Sequence, residues 1–302
     1  MPEPLLDVGR LRLLTEVGRR GTISAAARSL GLTASAVSQQ LAVLEREAGA
    51  PLLERSPRGV VLTGAGRALS ARADAVIDLL VRARADLEQR HGEVSGVVRL
   101  ATVASAAATI VSDAVLTLRC DHPGIEVRVQ TAEPGHSLEL LMSGDVDLAV
   151  IDEYDHQPVA PPDSLVTTAL RTEPLVLVAP VGLLAGSGPV ALDDLAGQDW
   201  VMPPDDAACG SAVRAACRGA GFEPRVRWET DDMLLLARAV AAGHGVAVLP
   251  RLAVDESASA VDVRTLSAPT LSRRLSAVAR SAGTARPVVQ AVLAALSADA
   301  AS

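Results

Sequence analysis

Two short stretches joined by a three-residue link constrain this chain more than any other feature. TISAAARSL (22–30) and TASAVSQQLAVLERE (33–47) meet at Gly31-Leu32-Thr33. In the second, Val37, Leu41 and Leu44 recur at helical spacing and make one apolar face. Thr33 is the expected cap of that helix, and Ser24 the expected cap of a shorter one over Ala25–Leu30 that Gly31 ends. Ala26 and Ala27 are small enough for two helices to cross closely. A preceding helix, Leu6–Val17, turns Leu6, Leu13, Leu14 and Val17 inward. In APLLERSPRGVVLTGAG (50–66), Ser-Pro and Arg-Gly mark a tight excursion. Pro51–Glu54 and Val60–Leu62 are expected to pair around it, so residues 5–63 read as a winged helix-turn-helix.

A helix that reads DNA pushes its first turns into the major groove. A carboxylate there would face phosphate, and a bulky side chain would hold the helix out. Ala34, Ser35, Ser38 and Gln39 meet both demands. Gln39 can pair with an adenine edge, and Ser38 can bond a base or a phosphate. Glu45 and Glu47 fall at the far end. Arg55 and Arg58 on the wing can neutralise phosphates. The free amides at the helix starts, Ser24 and Thr33, also favour phosphate. An ordinary three-helix lobe would use the same caps and small residues. What favours DNA is that the helix pair, the basic wing and a dimer seam arrive in order.

That seam lies in a long helix expected over Gly64–Arg90. Leu69, Ala73, Val76, Leu80, Ala83 and Leu87 are spaced 4, 3, 4, 3, 4, a heptad repeat. Packing on its own domain would also bury such a stripe. Dimerisation is the economical reading, because paired half-sites require it.

Charge supports the division. The chain of 302 residues carries −8 overall, but residues 1–92 are net +3 and residues 93–302 net −11. Apolar residues are 49 %, enough for a sizeable core. The only aromatics are Tyr154, Trp200, Phe222 and Trp228, so a site built on ring stacking is not expected. The N-terminus lacks a basic-then-apolar signal segment and no apolar run reaches about 18 residues. The expectation is a cytoplasmic protein with no membrane partner. Three cysteines fit a reducing compartment.

Beyond HGEVSG (91–96), which reads as a hinge, strand and helix signals alternate. VVRLATV, IEVRVQTA and VDLAVI interleave with helical ATIVSDAVLTLRC and SLELLMSG. TEPLVLVAP opens a second such series. Two α/β lobes with mostly parallel strands and a cleft between them are expected. Ligands then bind beyond the C-terminal strand ends. Ser105, Thr131, Pro180, Cys209, Ser211 and Thr230 fall at such positions, and the expected ligand is an organic anion or an amino-acid-like metabolite. Cys209 and Cys217 raise a redox-sensing alternative. Eight residues apart on one helix, they stand about 12 Å from each other, too far for a disulfide. The five histidines lack metal-ligand spacing. No nucleophile elbow or dinucleotide loop is present, so neither an enzyme nor a cofactor is expected. Asp147, after a glycine turn, reads as structural. The remaining alternative is a small-molecule binding protein without DNA function, which leaves residues 5–92 unexplained.

From GTISAAARSLGLTASAVSQQLAVLEREAGAPLLERSPRGVVLTGAG through the long helix, the chain resembles LysR-type transcriptional regulators. HPGIEV (122–127), SGDVDLAV (143–150), AAGHGVAVLP (241–250) and the final RPVVQAVLAAL extend the resemblance. It implies an N-terminal DNA-binding domain (1–63), a dimerising linker helix (64–92) and a periplasmic-binding-protein-like effector domain (93–302). Lobe one would take about 93–167 and 268–302, and lobe two about 168–267. It further implies a homodimer or homotetramer on an inverted-repeat promoter site, with RNA polymerase as a further partner. The groove residues carried over are Ala34, Ser35, Ser38 and Gln39, with effector contacts near Ser105, Thr131, Cys209 and Thr230. Ala34 departs from the glutamine frequent there, and Leu14 and Leu53 replace residues that are often aromatic.

Overall fold

The computed structural model describes residues 6–56, 59–89, 94–155, 165–254, 260–267, 269–281 and 283–298. Three helices open it: α1 (Val8–Arg20), α2 (Ile23–Ser29) and α3 (Ala34–Ala48). Asp7 caps α1 by accepting from the Arg10 amide, and Gly21 ends it in the left-handed region. The cap of α2 is Thr22, whose Oγ1 accepts from the Ala25 amide at 3.1 Å. Ser24 is an exposed residue inside the helix instead. The extended backbone of Thr22 lets its hydroxyl turn back toward the first free amides, a geometry closed to Ser24 once it is helical. Thr33 caps α3 in the same way, at 3.2 Å from the Ala36 amide. Strands β1 (Leu53–Ser56) and β2 (Gly59–Leu62) pair antiparallel as the wing. Leu14, Val17, Val37, Leu41, Leu44 and Leu52 fill one core between the helices and the wing.

Helix α4 (Gly64–Gln89) starts against the end of the wing, with Gly66 at the contact. A Cβ there would lie 2.0 Å from the Leu52 carbonyl oxygen. Gly66→Ala therefore has to push the helix off the wing, and an early thermal transition of the N-terminal domain is expected. The loss is about 1–3 kcal/mol, readable in a calorimetric scan.

The remainder is an α/β unit. Strands β3 (Gly96–Thr102), β4 (Ile125–Thr131) and β5 (Leu148–Tyr154) run parallel, with β3 in the middle. Helices α5 (Ala104–Ala106), α6 (Ser112–Asp121) and α7 (Pro134–Ser143) connect them, and a π-turn over Ala107–Val111 joins α5 to α6. Strand β6 (Leu165–Pro180) is long and passes between two environments. Its first part pairs with β11 (Ser272–Arg280), and its last part lies between β9 (Ala247–Pro250) and β10 (Val261–Thr265). Strand β11 also pairs antiparallel with β5.

The large sheet is therefore mixed rather than mostly parallel, because two strands, β6 and β11, carry the chain out and back in opposite directions. Strands β7 (Asp199–Met202) and β8 (Arg225–Glu229) form a parallel pair. They are flanked by α8 (Ala208–Gly219) and α9 (Met233–Ala241). The AGHGV turn from α9 into β9 needs its glycines: Gly245 has φ +148°, and a Cβ on it would meet the Asp199 carbonyl oxygen at 2.4 Å. Helix α10 (Pro287–Ala298) buries Val289, Val292 and Leu296 against Val98, Ile110 and Leu118 of the first lobe. A separate core around Trp200, Val213, Cys217 and Val248 belongs to the second.

Candidate functional site

Helix α3 divides cleanly into a packed face and an open one. Val37, Leu41 and Leu44 are buried, whereas Ala34, Ser35, Ser38 and Gln39 are exposed together on its first turns. Thr33 is exposed too, its hydroxyl occupied as the cap. The charged residues further along are committed to the fold. Glu45 Oε1 accepts from the amides of Leu52 and Leu53 at 2.8 and 3.1 Å, which fixes the start of the wing. Arg10 donates to Gln40 Oε1 at 2.9 Å and pairs with Glu47. The leading end of α3 is thus free of carboxylates and sterically open, and its first amides face outward with the positive end of the helix dipole. Arg58 and the side chain of Arg55 lie outside the described residues.

On α4 the apolar stripe has two fates. Ala73 is buried and Leu69 half-buried on the N-terminal core, which is the packing alternative for that end. Val76, Leu80 and Ala83 are exposed, Leu80 by 51 %, and neighbouring Leu79 by 65 %. The Leu87 side chain and hinge residues 91–93 lie outside the described residues.

Between the two lobes is a cleft lined by Ser105, Glu133, Asp152, Tyr154, Cys209 and Asp231, with Arg273 at its floor. Its open space is about 30 Å³, room for water alone. The floor follows from sheet register. Arg273 on β11 stands opposite Tyr154 of β5 and Glu173 of β6, and Leu275, two residues on, stands opposite Asp152. Arg273 Nε donates to Glu173 Oε1 at 2.6 Å, and Nη1 to Asp152 Oδ2 at 3.1 Å. Tyr154 donates to the same Asp152 oxygen at 3.1 Å, and Glu173 Oε2 accepts from the Leu252 amide at 2.7 Å. All four side chains are buried, and burial raises the Tyr154 hydroxyl well above its ordinary range. Glu133, at the rim, is also held above the usual carboxylate range, by desolvation and by neighbouring Asp152, Asp231 and Asp206.

Of the six expected ligand positions, Ser105 and Cys209 line the cleft. Ser105 is the middle residue of α5 rather than its cap, which is Val103. Thr131 ends β4 and Thr230 follows the end of β8, both just outside, each followed within two residues by a carboxylate that does line it, Glu133 or Asp231. Ser211 is half-buried on α8, one turn up from the cleft. Pro180 stands at the far end of β6, paired with Val261 of β10, and shapes no lip. A proline closing a strand gives no sequence signal of which end of the sheet faces the ligand. The lining does not carry the organic-anion expectation either, since its carboxylates outnumber its one guanidinium.

The redox alternative finds no support in the cysteine environments. Burial pushes both the Cys209 and the Cys217 thiol up to about 12, so neither is a ready thiolate. Asp147 is structural: it accepts from the Arg99 amide at 2.9 Å and from Arg286 at 2.7 Å. Among the described residues no helix is long and apolar enough to cross a membrane.

Comparison with known proteins agrees along the whole chain. Residues 8–67 match the family "Bacterial regulatory helix-turn-helix protein, lysR family", and residues 91–301 match "LysR substrate binding domain". The nitrogen assimilation regulatory protein nac of Escherichia coli is 29 % identical over 290 residues, 95 % of this chain and 93 % of that protein. The transcriptional dual regulator GltC of Bacillus subtilis is 26 % identical, with 83 % of each chain covered. By structure, a full-length OxyR variant from Pseudomonas aeruginosa superposes with a TM-score of 0.71 at 19 % identity, covering 97 % of this chain and 95 % of that one. Full-length CbnR in complex with its target DNA does so at 0.57 and 18 %, covering 97 % and 99 %. With an open-faced helix-turn-helix, a linker helix and a two-lobed α/β domain in one chain, this protein belongs to the LysR family of DNA-binding transcriptional regulators with an effector-binding domain.

Proposed function

We propose that two copies pair through the exposed part of α4 and set two α3 helices into successive major-groove turns of an inverted-repeat promoter site. Closure of the lobes on a small metabolite then alters that grip. The observation that carries this is the division of α3: its first turns expose Ala34, Ser35, Ser38 and Gln39, while Glu45 and Glu47 are tied into the domain. On this reading Ser24, Thr33, Arg55 and Arg58 contact backbone phosphate, and Ser38 and Gln39 read bases. Ser105 and Cys209 are the expected effector contacts that face the cleft. The domain division 1–63, 64–92 and 93–302 follows the same scheme. The protein acts in the cytoplasm, as a homodimer or as a homotetramer built on it. RNA polymerase is the partner through which a bound regulator acts on transcription.

Fluorescence anisotropy on promoter duplexes at stepped salt tests the DNA reading. Site-selective binding whose affinity falls steeply and log-linearly with salt supports it; a salt-independent or sequence-blind association contradicts it. The pairing is tested separately. Leu80→Arg puts a charge where a partner helix should lie, while the residue is already half in solvent. Sedimentation should show the dimer dissociating with the melt unchanged, and operator affinity should fall by about tenfold or more as half-sites are gripped singly.

A further inference from the structure

The charge around the interlobe cleft narrows the class of effector. We infer that the cleft takes a ligand bearing a cationic group, an ammonium or a guanidinium, with Asp152 Oδ1 as its buried acceptor. The inference rests on reading the cleft as the effector site and names what that site selects.

Among the described residues, three carboxylates, Glu133, Asp152 and Asp231, line the cleft, against one guanidinium, Arg273. That guanidinium is already shared between Asp152 and Glu173. A carboxylate ligand would therefore meet no free cation and would add like charge to a desolvated space.

The buried network is also incomplete on one side. Asp152 is 5 % exposed; its Oδ2 accepts from both Arg273 and Tyr154, yet its Oδ1 is buried with no hydrogen-bond partner among the described residues. A buried carboxylate oxygen without a donor is costly, and folded proteins rarely keep one without a use. An incoming N–H donor supplies the missing bond and offsets the charge together. The ligand is then an amine or a guanidine of net positive charge. Glu133 and Asp231, at the rim, complete the cage as the lobes close. The strain that these neighbours place on Glu133 is what a cation relieves. Since the space is about 30 Å³, admission requires the lobes to part.

The test is isothermal titration and thermal shift on the full-length protein. The probes are putrescine, agmatine and L-arginine, set against succinate and glutarate. At least one cationic probe should bind and raise the melting temperature, and the two dianions should do neither. Asp152→Asn and, because that change disturbs a buried network, the rim variants Asp231→Asn and Glu133→Gln should each weaken the cation by about tenfold. Three results overturn the inference. They are dianion binding that the variants leave unchanged or improve, no binding of any cationic probe at millimolar concentration, and cation binding indifferent to all three variants. Operator affinity measured alongside separates the two readings. If cations bind through these residues and DNA affinity does not move, the inference stands and the effector reading fails. If only anions move DNA affinity, the effector reading stands and the inference fails.

Discussion

Ser38→Glu is expected to abolish specific operator binding while leaving the protein folded. Ser38 is exposed on the leading turns of α3, and the packing of that helix is carried by Val37, Leu41 and Leu44 on the other side. The substitution removes a hydroxyl that can bond a base or phosphate and places a carboxylate where the duplex presents its own negative charge. A base contact alone is worth about 1–3 kcal/mol, and the repulsion adds to it, so the loss should exceed about a hundredfold in affinity. Gln39→Ala should cost only the base-contact part, at one position of the half-site. A binding assay over single-base variants of the operator checks this: specificity relaxes at one base pair in Gln39→Ala, and affinity collapses at all of them in Ser38→Glu. Equal effects from both would mean that α3 does not read the groove.

The second large effect concerns stability. Arg273→Leu leaves Asp152 and Glu173 buried and unpaired at the junction of the lobes, where the side chain of Arg273 itself is 1 % exposed. Removing one member of a buried ion network costs about 3–5 kcal/mol, because the remaining charges have lost both water and partner. Urea unfolding followed by tryptophan emission is the measurement. Trp200 lies in the core of the second lobe and Trp228 on the adjacent β8, so the signal reports that lobe. The triple variant Arg273→Leu, Asp152→Asn, Glu173→Gln should regain most of the loss, since it deletes the charges with their partner. If Arg273→Leu alone proves neutral, the network does not hold the lobes in the manner described.

Most of the N-terminal domain was legible in the sequence because its signals are local. A cap acts over three residues, an apolar face repeats every three or four, and a tight wing is marked by its own Ser-Pro and Arg-Gly pairs. Two local expectations slip by two residues. The first wing strand is Leu53–Ser56 rather than Pro51–Glu54. The cap of α2 is Thr22 rather than Ser24; both hydroxyls precede a helical pattern, and only backbone angles separate them. The linker stripe was legible as a heptad, but that Ala73 packs on the N-terminal core while Val76 and Leu80 stay open depends on how the helix runs past α1, which spacing does not encode. The cleft was the least legible. Ser105 and Cys209 follow strands and were found by that rule. Asp152, Glu173 and Arg273 are mid-strand residues 21 to 121 positions apart, and only the antiparallel return of β11 between β5 and β6 brings them together. Periodicity cannot announce such a pairing. The adjacent pair Arg273-Arg274 near the start of the strand SRRLSAVAR was the available hint.

Selection of bound sequences from a random duplex library by the full-length protein tests the central claim most directly. One inverted repeat should be enriched, its half-sites about one helical turn apart, some 10–10.5 base pairs centre to centre or a multiple of that. Recovery of a single asymmetric half-site bound by a lone subunit, or of no preferred sequence at all, would contradict it.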